Sequence, residues 1–483
     1  MHDSGGALDF LDDLVGERVE RATVAHHRRR LSRLGWSSAL NPATTDLWVP
    51  GDPPARAGND VQVLIDGSEI LPRIAAAIAQ ARSRVSISGW FLSPGFHLTR
   101  DGEPVVLREL LAEVASRVDV RVLLWAGAPA PIFRPWRRQV KKVRRQLVEG
   151  TRIRCALDSR ERPLHSHHQK VVIVDDEIAF VGGMDLTEWP TDRFDLPTHP
   201  LREQEGWHDV TAELRGPVVA DVAEYFALRW QATTGERLEP GAQPAELGAH
   251  AVQFAITNPE KMYPALPRGS FRILEAYVRA LRSAERLIYL ENQFLWSVEI
   301  VDVLREKLLH PPTPEFRMVM VLPIRPSNGG DYSRGQLELL DQADRDRRLL
   351  TTTLFAREGG RSQPVYVHAK LGIVDDRWLT VGSANLNDHS LFNDTEANVV
   401  LRSPDLIRAT RERLWAEHLE LPLADVSGDP TRLVEEVWRP VAEEQQQRLS
   451  RNLPLTHRLV GLPHLSRRSL RLLGPLQGLI VDG

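Results

Sequence analysis

Cysteine is nearly absent from this 483-residue sequence, which contains one, Cys155. A single cysteine excludes an intrachain disulfide and any metal or iron–sulfur centre that needs several cysteines. An excess of one charge is also lacking, because 61 lysines and arginines stand against 65 aspartates and glutamates. The chain as a whole therefore has no general attraction for nucleic acid, and any basic patch must be local.

Long apolar runs are missing as well. No stretch is long enough to span a bilayer. Residues 1–14 contain four aspartates but neither a basic start nor an apolar segment, so they do not resemble a signal peptide. We therefore expect a cytoplasmic protein, or one bound peripherally at the inner membrane face.

The sequence repeats one order of predicted elements. A helical stretch at Ile70–Arg82 precedes an extended stretch at Val85–Trp90, and Phe271–Glu285 precedes Leu287–Glu291 in the same way. The alternation predicts an α/β fold with two similar α/β/α sandwich lobes that contain mixed sheets. The predicted divisions are an N-terminal extension, a first lobe, a second lobe and a C-terminal tail, at 1–55, 56–245, 246–425 and 426–483.

Two copies of the motif H-x-K-x4-D lie at equivalent places in the two halves. They consist of His168, Lys170 and Asp175, and of His368, Lys370 and Asp375. Residues two apart on a strand point to one face, so each histidine and its lysine project together. A turn follows each motif, with Gly182, Gly183 and Asp185 after the first and Gly382, Ser383 and Asn385 after the second. Turn amides of this kind can bind phosphate oxygens.

These groups suit the cleavage of a phosphodiester, which needs a nucleophile, an acid for the leaving oxygen and positive groups around phosphorus. One imidazole can attack phosphorus to give a phosphohistidine, while the other protonates the leaving oxygen and later activates water. Neither a metal nor another cofactor is required, and none is predicted. A solvated surface would explain a single motif, but two copies at the same spacing favour catalysis.

A zinc site is the competing interpretation of the first motif, because His165 and His167 lie beside His168. Strand alternation sends His167 to the face opposite His168, and the second motif has no such neighbours. We therefore predict structural or supporting roles for His165 and His167.

The motifs and their surroundings resemble the phospholipase D superfamily over roughly residues 60–420. The resemblance in the first half covers the segments 88–94, 167–170, 179–186, 193–195, 207–210, 216–217 and 229–230. In the second half it covers 288–294, 382–387 and Glu396. It is a resemblance to a minimal form, without accessory lipid-targeting domains.

This resemblance implies one active site at the interface of two lobes related by a pseudo-twofold axis. It implies that His168 is the nucleophile and His368 the general acid and base. It further implies that the phosphoryl group is held by Lys170, Lys370 and Asn385, with Gly183 and Ser383 also near the substrate. Asp209 and Glu396 are expected to orient the imidazoles, and the motif aspartates Asp175 and Asp375 to be structural.

Asp185 breaks the symmetry, because Asn385 occupies the matching position in the second half. A carboxylate repels phosphate, so we expect Asp185 to support the site without touching the substrate. An acidic neighbour also raises the pKa of an imidazole, which would make His168 the better proton donor. The assignment of the two histidine roles therefore stays open.

The resemblance implies hydrolysis of phospholipids at a membrane surface to phosphatidic acid and a free head group, with water or a small alcohol as acceptor. A phosphatidyltransferase of the cardiolipin synthase kind is the alternative. A nuclease is less favoured, because the chain is slightly acidic overall, and no nucleic-acid partner is expected. The basic run from Arg134 to Arg145 is either a membrane-binding surface or a solvated helix face.

Overall fold

The computed structural model describes residues 6–43, 45–100, 102–129, 134–162, 164–188, 192–241, 243–325 and 330–462. The strands of the first half are β1 (Arg56–Ile65), β2 (Arg84–Gly89), β3 (Asp119–Trp125), β4 (Arg154–Asp158), β5 (Lys170–Val174), β6 (Ile178–Gly182), β7 (Trp207–His208) and β8 (Val210–Arg215). Those of the second half are β9 (His250–Asn258), β10 (Ser270–Phe271), β11 (Leu287–Asn292), β12 (Arg317–Val321), β13 (Leu349–Glu358), β14 (Arg361–Val367), β15 (Lys370–Val374), β16 (Trp378–Gly382), β17 (Glu396–Leu401) and β18 (Leu459–Gly461).

The helices are α1 (Gly6–Leu34), α2 (Asp66–Ala79), α3 (Leu107–Ala115), α4 (Arg137–Val148), α5 (Val218–Thr234), α6 (Arg272–Ser283), α7 (Val298–Leu309), α8 (Gly330–Ala343), α9 (Pro404–Leu419), α10 (Leu423–Val426), α11 (Pro430–Leu433) and α12 (Arg439–Ser450). A 3₁₀ turn lies at Ser37–Ala39, and π-helical turns lie at His389–Asn393 and Val434–Trp438. None of the helices in the described ranges has the length and apolar character needed to cross a membrane.

The two halves form sheets with the same strand order. The first sheet runs β4-β3-β2-β5-β6-β8-β1, and the second runs β13-β12-β11-β15-β16-β17-β9. In each sheet the first three strands are parallel and the other neighbours antiparallel. This correspondence confirms the predicted mixed α/β fold with two similar lobes, and pairing between β1 and β9 joins the two sheets.

The strands that follow the histidine motifs are buried on both faces. Every residue of β5 and β15 is buried, which explains why they read as short apolar runs rather than as alternating strands. A central core takes side chains from both sheets and from α5 and α9. One outer core lies between the first sheet and its remaining helices, and another lies between the second sheet and its remaining helices. Each lobe is therefore a three-layer sandwich.

The lobes also exchange backbone hydrogen bonds near the motifs. Strand β7 of the first half pairs in parallel with the end of β14 in the second, with Trp207 opposite Tyr366 and His208 opposite Val367. An equivalent bridge joins His167 to Thr395. Each motif is therefore approached by a segment from the other lobe.

The predicted N-terminal extension contains a helix that packs on the second lobe. His27 of α1 contacts Glu299 of α7 at 2.7 Å and stacks on the Phe392 ring. The first sheet begins at Arg56 and the strand β9 at His250, while the boundaries predicted for the four divisions stay predictions. Within the predicted tail, β18 pairs with β13, and residues 463–483 lie outside the described ranges.

Candidate active site

Each motif histidine lies immediately before a buried central strand. His168 precedes β5 and His368 precedes β15, and their exposed fractions are 3% and 4%. The backbone N–H groups of His168 and Gln169 donate to the Thr395 carbonyl at 3.0 and 3.1 Å. In the second lobe, His368 and Ala369 donate to the His208 carbonyl at 2.8 and 3.1 Å. Both histidines are thus fixed by the chain of the opposite lobe.

The carboxylates predicted to orient the imidazoles pair with them across the lobe interface. His168 Nδ1 lies 2.9 Å from Glu396 Oε1, and His368 Nδ1 lies 2.7 Å from Asp209 Oδ2. The crossing follows from the backbone contacts, because Thr395 and His208 directly precede the two acids in the chain. With Nδ1 occupied in both rings, Nε2 is the nitrogen that can react at phosphorus.

The two lysines turn back toward their own histidines but differ in their second contact. Lys170 Nζ donates to the His168 carbonyl at 2.7 Å and lies 3.1 Å from Asp185 Oδ2. Lys370 Nζ donates to the His368 carbonyl at 2.5 Å and to the amide oxygen of Gln293 at 3.0 Å. Asp185 therefore lies in direct contact with Lys170, whereas the matching contact of Lys370 is the neutral amide of Gln293 and its charge acts on the more distant Asp209. The asymmetry predicted from Asp185 thus appears at the two lysines, because Lys170 contacts a carboxylate where Lys370 contacts an amide.

The turn after each motif brings the next predicted residues against the same carboxylates. Ser383 donates its hydroxyl to Glu396. A Cβ placed on Gly183 would lie 2.3 Å from Asp209 Oδ1, so a residue with a side chain would clash there. Asn385 is fully buried, and neither atom of its side-chain amide has a hydrogen-bond partner in the described part of the chain. An unsatisfied buried amide is costly to the free protein, so this amide has hydrogen-bonding capacity that the described residues do not use.

The motif aspartates lie away from the histidines. Asp175 accepts hydrogen bonds from the backbone N–H groups of residues 82, 83 and 84 and from the Ser83 hydroxyl. Asp375 accepts from the N–H groups of residues 285, 286 and 287. Each carboxylate closes the turn between a helix and the neighbouring strand, which matches the structural role expected for both.

Burial and local charge shift the pKa values in the site. Burial raises the pKa of Glu396 to about 8, although Lys170 and two serine hydroxyls oppose it. Burial likewise raises the pKa of Asp209 to about 7. The pKa of His368 lies well below its ordinary value because of burial and the nearby Lys370, Arg193 and Lys170. A bound anion would offset these cations and so raise the pKa of His368 again.

Aromatic and basic residues that sequence reasoning left without a role complete the walls. The Trp207 ring lies 4.0 Å from the His368 ring, and the Arg193 guanidinium lies 3.4 Å above Trp207. The Trp90 ring lies 6.5 Å from that of His168. Segments holding all of these residues appear in the resemblance, but nothing in their local pattern distinguishes a site residue from a buried one.

The histidines beside the first motif do not converge on a common point. His167 contacts the Thr395 hydroxyl at 3.0 Å and Asp158 at 3.2 Å. His165 lies 3.0 Å from the Nδ1 atom of His389. Since His168 faces Glu396, the three rings have different partners, in line with the supporting roles predicted for His165 and His167.

Comparisons with known proteins match both halves of the chain. The family model described as Phospholipase D matches residues 77–206, and the one described as Cardiolipin synthase, PLD-like domain, matches residues 337–417. Phospholipase D A of Dictyostelium discoideum is 28% identical, with 76% of this chain and 36% of that protein covered. Phospholipase D zeta 2 of Arabidopsis thaliana is 22% identical, with 80% and 56% covered. The chain thus spans about a third to a half of the length of these curated relatives.

A solved structure shares the fold. The crystal structure of phosphatidylserine synthase from Haemophilus influenzae Rd KW20 superposes with a TM-score of 0.54 at 12% sequence identity. The superposition covers 82% of this chain and 95% of that one. The overall fold is therefore shared with a protein of known structure.

Proposed function

Because the chain belongs to the phospholipase D superfamily, we propose that it is a phosphodiesterase that cleaves phospholipids to phosphatidic acid and a free head group. The observation that carries this proposal is the crossed pairing of two motif histidines with two buried carboxylates. Two similar imidazoles, each oriented through Nδ1, supply the nucleophile and the acid that the reaction needs.

The reaction proceeds in two displacements. Nε2 of one imidazole attacks phosphorus, and the bond from phosphorus to the head-group oxygen breaks as the other imidazolium donates its proton to that oxygen. The second imidazole then takes a proton from water, whose oxygen attacks phosphorus and breaks the P–N bond. Phosphatidic acid leaves and both imidazoles return to their starting state.

Positive and polar groups hold the phosphoryl oxygens during both steps. Lys370 lies beside the neutral amide of Gln293, and the amide of Asn385 is available to a ligand. Preorganised donors of this kind stabilise the charge that develops on phosphorus, and each contributes roughly 10²- to 10³-fold in rate. Resemblance assigns the attack to His168 and the proton transfers to His368. The lowered pKa of His368 in the free protein opposes its role as the acid, and the charge of a bound phosphodiester would offset the cations that contribute to this shift.

The substrate class is tested by offering three phosphodiesters in parallel: vesicles of phosphatidylcholine, vesicles of phosphatidylglycerol, and a single-stranded DNA oligonucleotide. We expect turnover of phospholipid and not of DNA. His168→Ala and His368→Ala should each lower the rate by at least about 10³-fold with the fold retained. His310→Ala, which alters an exposed histidine at the end of α7, is the matched control. Cleavage of DNA alone, or full activity of either motif variant, would contradict the proposal.

Phosphatidyl transfer is the second candidate, favoured by the cardiolipin synthase description of the matched second-half model and by the shared fold with a phosphatidylserine synthase. An alcohol that replaces water in the second displacement would give a phosphatidyl alcohol instead of phosphatidic acid. The ratio of phosphatidyl alcohol to phosphatidic acid is measured by adding glycerol or ethanol during turnover and separating the lipid products. Phosphatidic acid as the only product at high alcohol concentration would favour hydrolysis. Activity that requires added alcohol would favour the transferase.

The identity of the nucleophile is tested by quenching turnover of a slow substrate and mapping the phosphorylated peptide. We expect the phosphoryl group on His168. Its appearance on His368 alone would reverse the two roles and leave the reaction class unchanged.

A further inference from the structure

A second buried group of titratable residues lies next to Asp209 and takes no part in the proposed reaction. It contains Asp66, His199, His208 and Glu417, and one ligand atom from each lies within 4.8 Å of the others. The side chains of the first three are fully buried, and that of Glu417 is 6% exposed. None of the four belongs to the histidine motifs.

The contacts in this group are close but are not all hydrogen bonds. His199 Nε2 lies 3.2 Å from Glu417 Oε1, and His208 Nδ1 lies 3.4 Å from the same oxygen. These separations match the distance of about 3.3 Å between neighbouring ligands of a tetrahedral zinc ion. Asp66 Oδ2, His199 Nε2 and Glu417 Oε1 have no hydrogen-bond partner among the described residues. Three buried polar atoms therefore share one small volume, in which the closest approach between them is the 3.2 Å contact of His199 Nε2 with Glu417 Oε1.

Both histidines are oriented from outside the group by further carboxylates. His199 Nδ1 contacts Asp195 Oδ2 at 2.9 Å, and His208 Nε2 contacts Glu291 Oε2 at 2.7 Å. Histidines that bind metals usually donate their other ring N–H to a carboxylate in this way, which fixes the ring and makes it a better ligand.

Negative charge is concentrated around this group. Four carboxylates, Asp66, Asp195, Glu291 and Glu417, are accompanied by the rings of His199, His208 and His418 and by one guanidinium, that of Arg202, which lies 3.3 Å from Asp195. Protons on the histidines could supply the missing charge. That arrangement would place imidazolium rings against each other, with the centroids of His199 and His208 5.7 Å apart, and would still leave Asp66 Oδ2 without a partner.

We propose that Asp66, His199, His208 and Glu417 bind a divalent transition-metal ion of the zinc class. Two imidazoles and two carboxylates suit zinc and its first-row neighbours rather than calcium or magnesium. Without the ion, His208 Nδ1 donates to Asp66 Oδ1 at 2.9 Å. Binding replaces that proton and leaves no open coordination position, which is the pattern of a structural site.

Such an ion would hold the two lobes together beside the reaction centre. Glu417 comes from α9 of the second lobe, and the other three ligands come from the first half. The His208 carbonyl accepts the N–H of His368 at 2.8 Å, and the Asp66 N–H donates to the Asp209 carbonyl at 2.9 Å. The sequence predicted no metal for the reaction, and this proposal adds a structural ion that enters no reaction step.

The wild-type protein provides the first test. It is produced without a histidine tag, incubated with excess Zn²⁺ or Co²⁺, desalted, and measured by elemental analysis and visible absorption. We expect one ion per chain, the intense bands of four-coordinate Co²⁺, and a thermal midpoint that falls on chelation and recovers with Zn²⁺ but not with Mg²⁺ or Ca²⁺. Absence of any retained transition metal would overturn the proposal.

Two isosteric variants locate the ion. His199→Gln and Glu417→Gln should each lower retained metal by at least about tenfold. The matched control is His389→Gln, which alters a different His–Asp cluster in which His165, His389 and Asp394 meet. Full metal retention by both test variants, or loss of metal in the control alone, would contradict the assignment whatever the activity on phospholipid.

Discussion

Asn385 differs from the other buried asparagines of the site in what its side chain touches. Asn398 accepts the Ala384 N–H at 3.1 Å and donates to the Thr380 hydroxyl at 3.2 Å. Asn292 accepts two backbone N–H groups through its side-chain oxygen. The Asn385 amide makes no such bond in the described part of the chain, which leaves a buried amide unsatisfied at a cost to the free protein.

This difference predicts opposite outcomes for two alanine variants. Asn385→Ala should lower the turnover rate by about 10²-fold and change the free energy of unfolding by less than about 1 kcal/mol, because no internal hydrogen bond is lost. Asn398→Ala should cost about 1–3 kcal/mol of stability. Denaturant titration and lipid turnover of both proteins test this. A large loss of stability in Asn385→Ala would mean that the amide supports the fold.

Asp175 is part of the first motif in the sequence, but its side chain contacts the turn between α2 and β2. Asp175→Ala removes the acceptor of four hydrogen bonds and should cost about 1–3 kcal/mol of unfolding free energy. Turnover well below the unfolding midpoint should stay within a few-fold of wild type, and Asp375→Ala should behave alike. A drop in rate comparable to that of His168→Ala, with stability unchanged, would place Asp175 in the reaction.

At the scale of elements, α4 presents basic side chains with no partners of opposite charge. Arg138, Lys141, Lys142 and Arg145 are exposed, and none of them forms an ion pair within the described residues, whereas Arg137 is held by Glu161 at 3.0 Å. Within the basic run Arg134–Arg145, these four residues thus form an exposed basic face on α4, whereas Arg137 is paired with an acidic residue of the same lobe. We keep the prediction that this face meets anionic bilayers.

Reversing two of these charges tests the prediction. Lys141→Glu with Lys142→Glu should weaken binding to anionic vesicles by at least about 2 kcal/mol, because each lysine near the surface contributes about 1 kcal/mol. The control, Arg347→Glu with Arg432→Glu, makes the same change of net charge at exposed residues that already have acidic partners. Equal weakening in both proteins would assign the effect to net charge rather than to α4.

The N-terminal helix α1 contacts the π-helical turn His389–Asn393 through Arg30. Arg30 of α1 donates to Glu260 at 2.7 Å and to the Phe392 carbonyl at 2.9 Å. Phe392 lies in the π-helical turn whose Ser390 hydroxyl donates to Glu396 at 2.5 Å. Arg30 and Arg162 hold the pKa of Glu260 at about 2 despite its partial burial. Helix α1 therefore supports the carboxylate that orients His168.

A depressed pKa gives this contact a defined pH dependence. Ionised Glu260 stabilises the fold above its ordinary value of 4.5, and this contribution is lost as the pH falls toward 2. The stability difference between wild type and Glu260→Gln should therefore shrink as the pH is lowered from about 6 to about 3. Thermal midpoints of both proteins across this range measure it. A difference that is constant with pH would mean that Glu260 acts without its charge.

At the scale of the whole molecule, the crossed pairs make the two lobes energetically interdependent. A double-mutant cycle on unfolding free energy should give a coupling of about 0.5–3 kcal/mol between His168→Ala and Glu396→Gln. The same should hold for His368→Ala with Asp209→Asn. The mismatched cycle, His168→Ala with Asp209→Asn, should give a smaller coupling. Larger coupling within each half would contradict the crossed arrangement.

The sequence was informative wherever a local pattern determines the structure. The apolar spacers of the motifs predicted β5 and β15, and the repeated helix-then-strand order predicted the two lobes. The crossing of His168 to Glu396 was not predictable, because it depends on pairing between segments more than two hundred residues apart. The group around His199 was likewise not predictable from the sequence, because its four members come from separate segments and do not follow the spacing of any metal-binding motif.

The crossed hydrogen bonds also govern when the protein can become active during its synthesis. A nascent chain acquires His168 early, but the carboxylate that orients it belongs to Glu396, which is made 228 residues later. The first lobe can fold on emergence, as domains generally do, yet it holds Asp209 without His368. A nascent chain that ends between Asp209 and His368 therefore contains both kinds of group, a histidine and a carboxylate, and no complete pair.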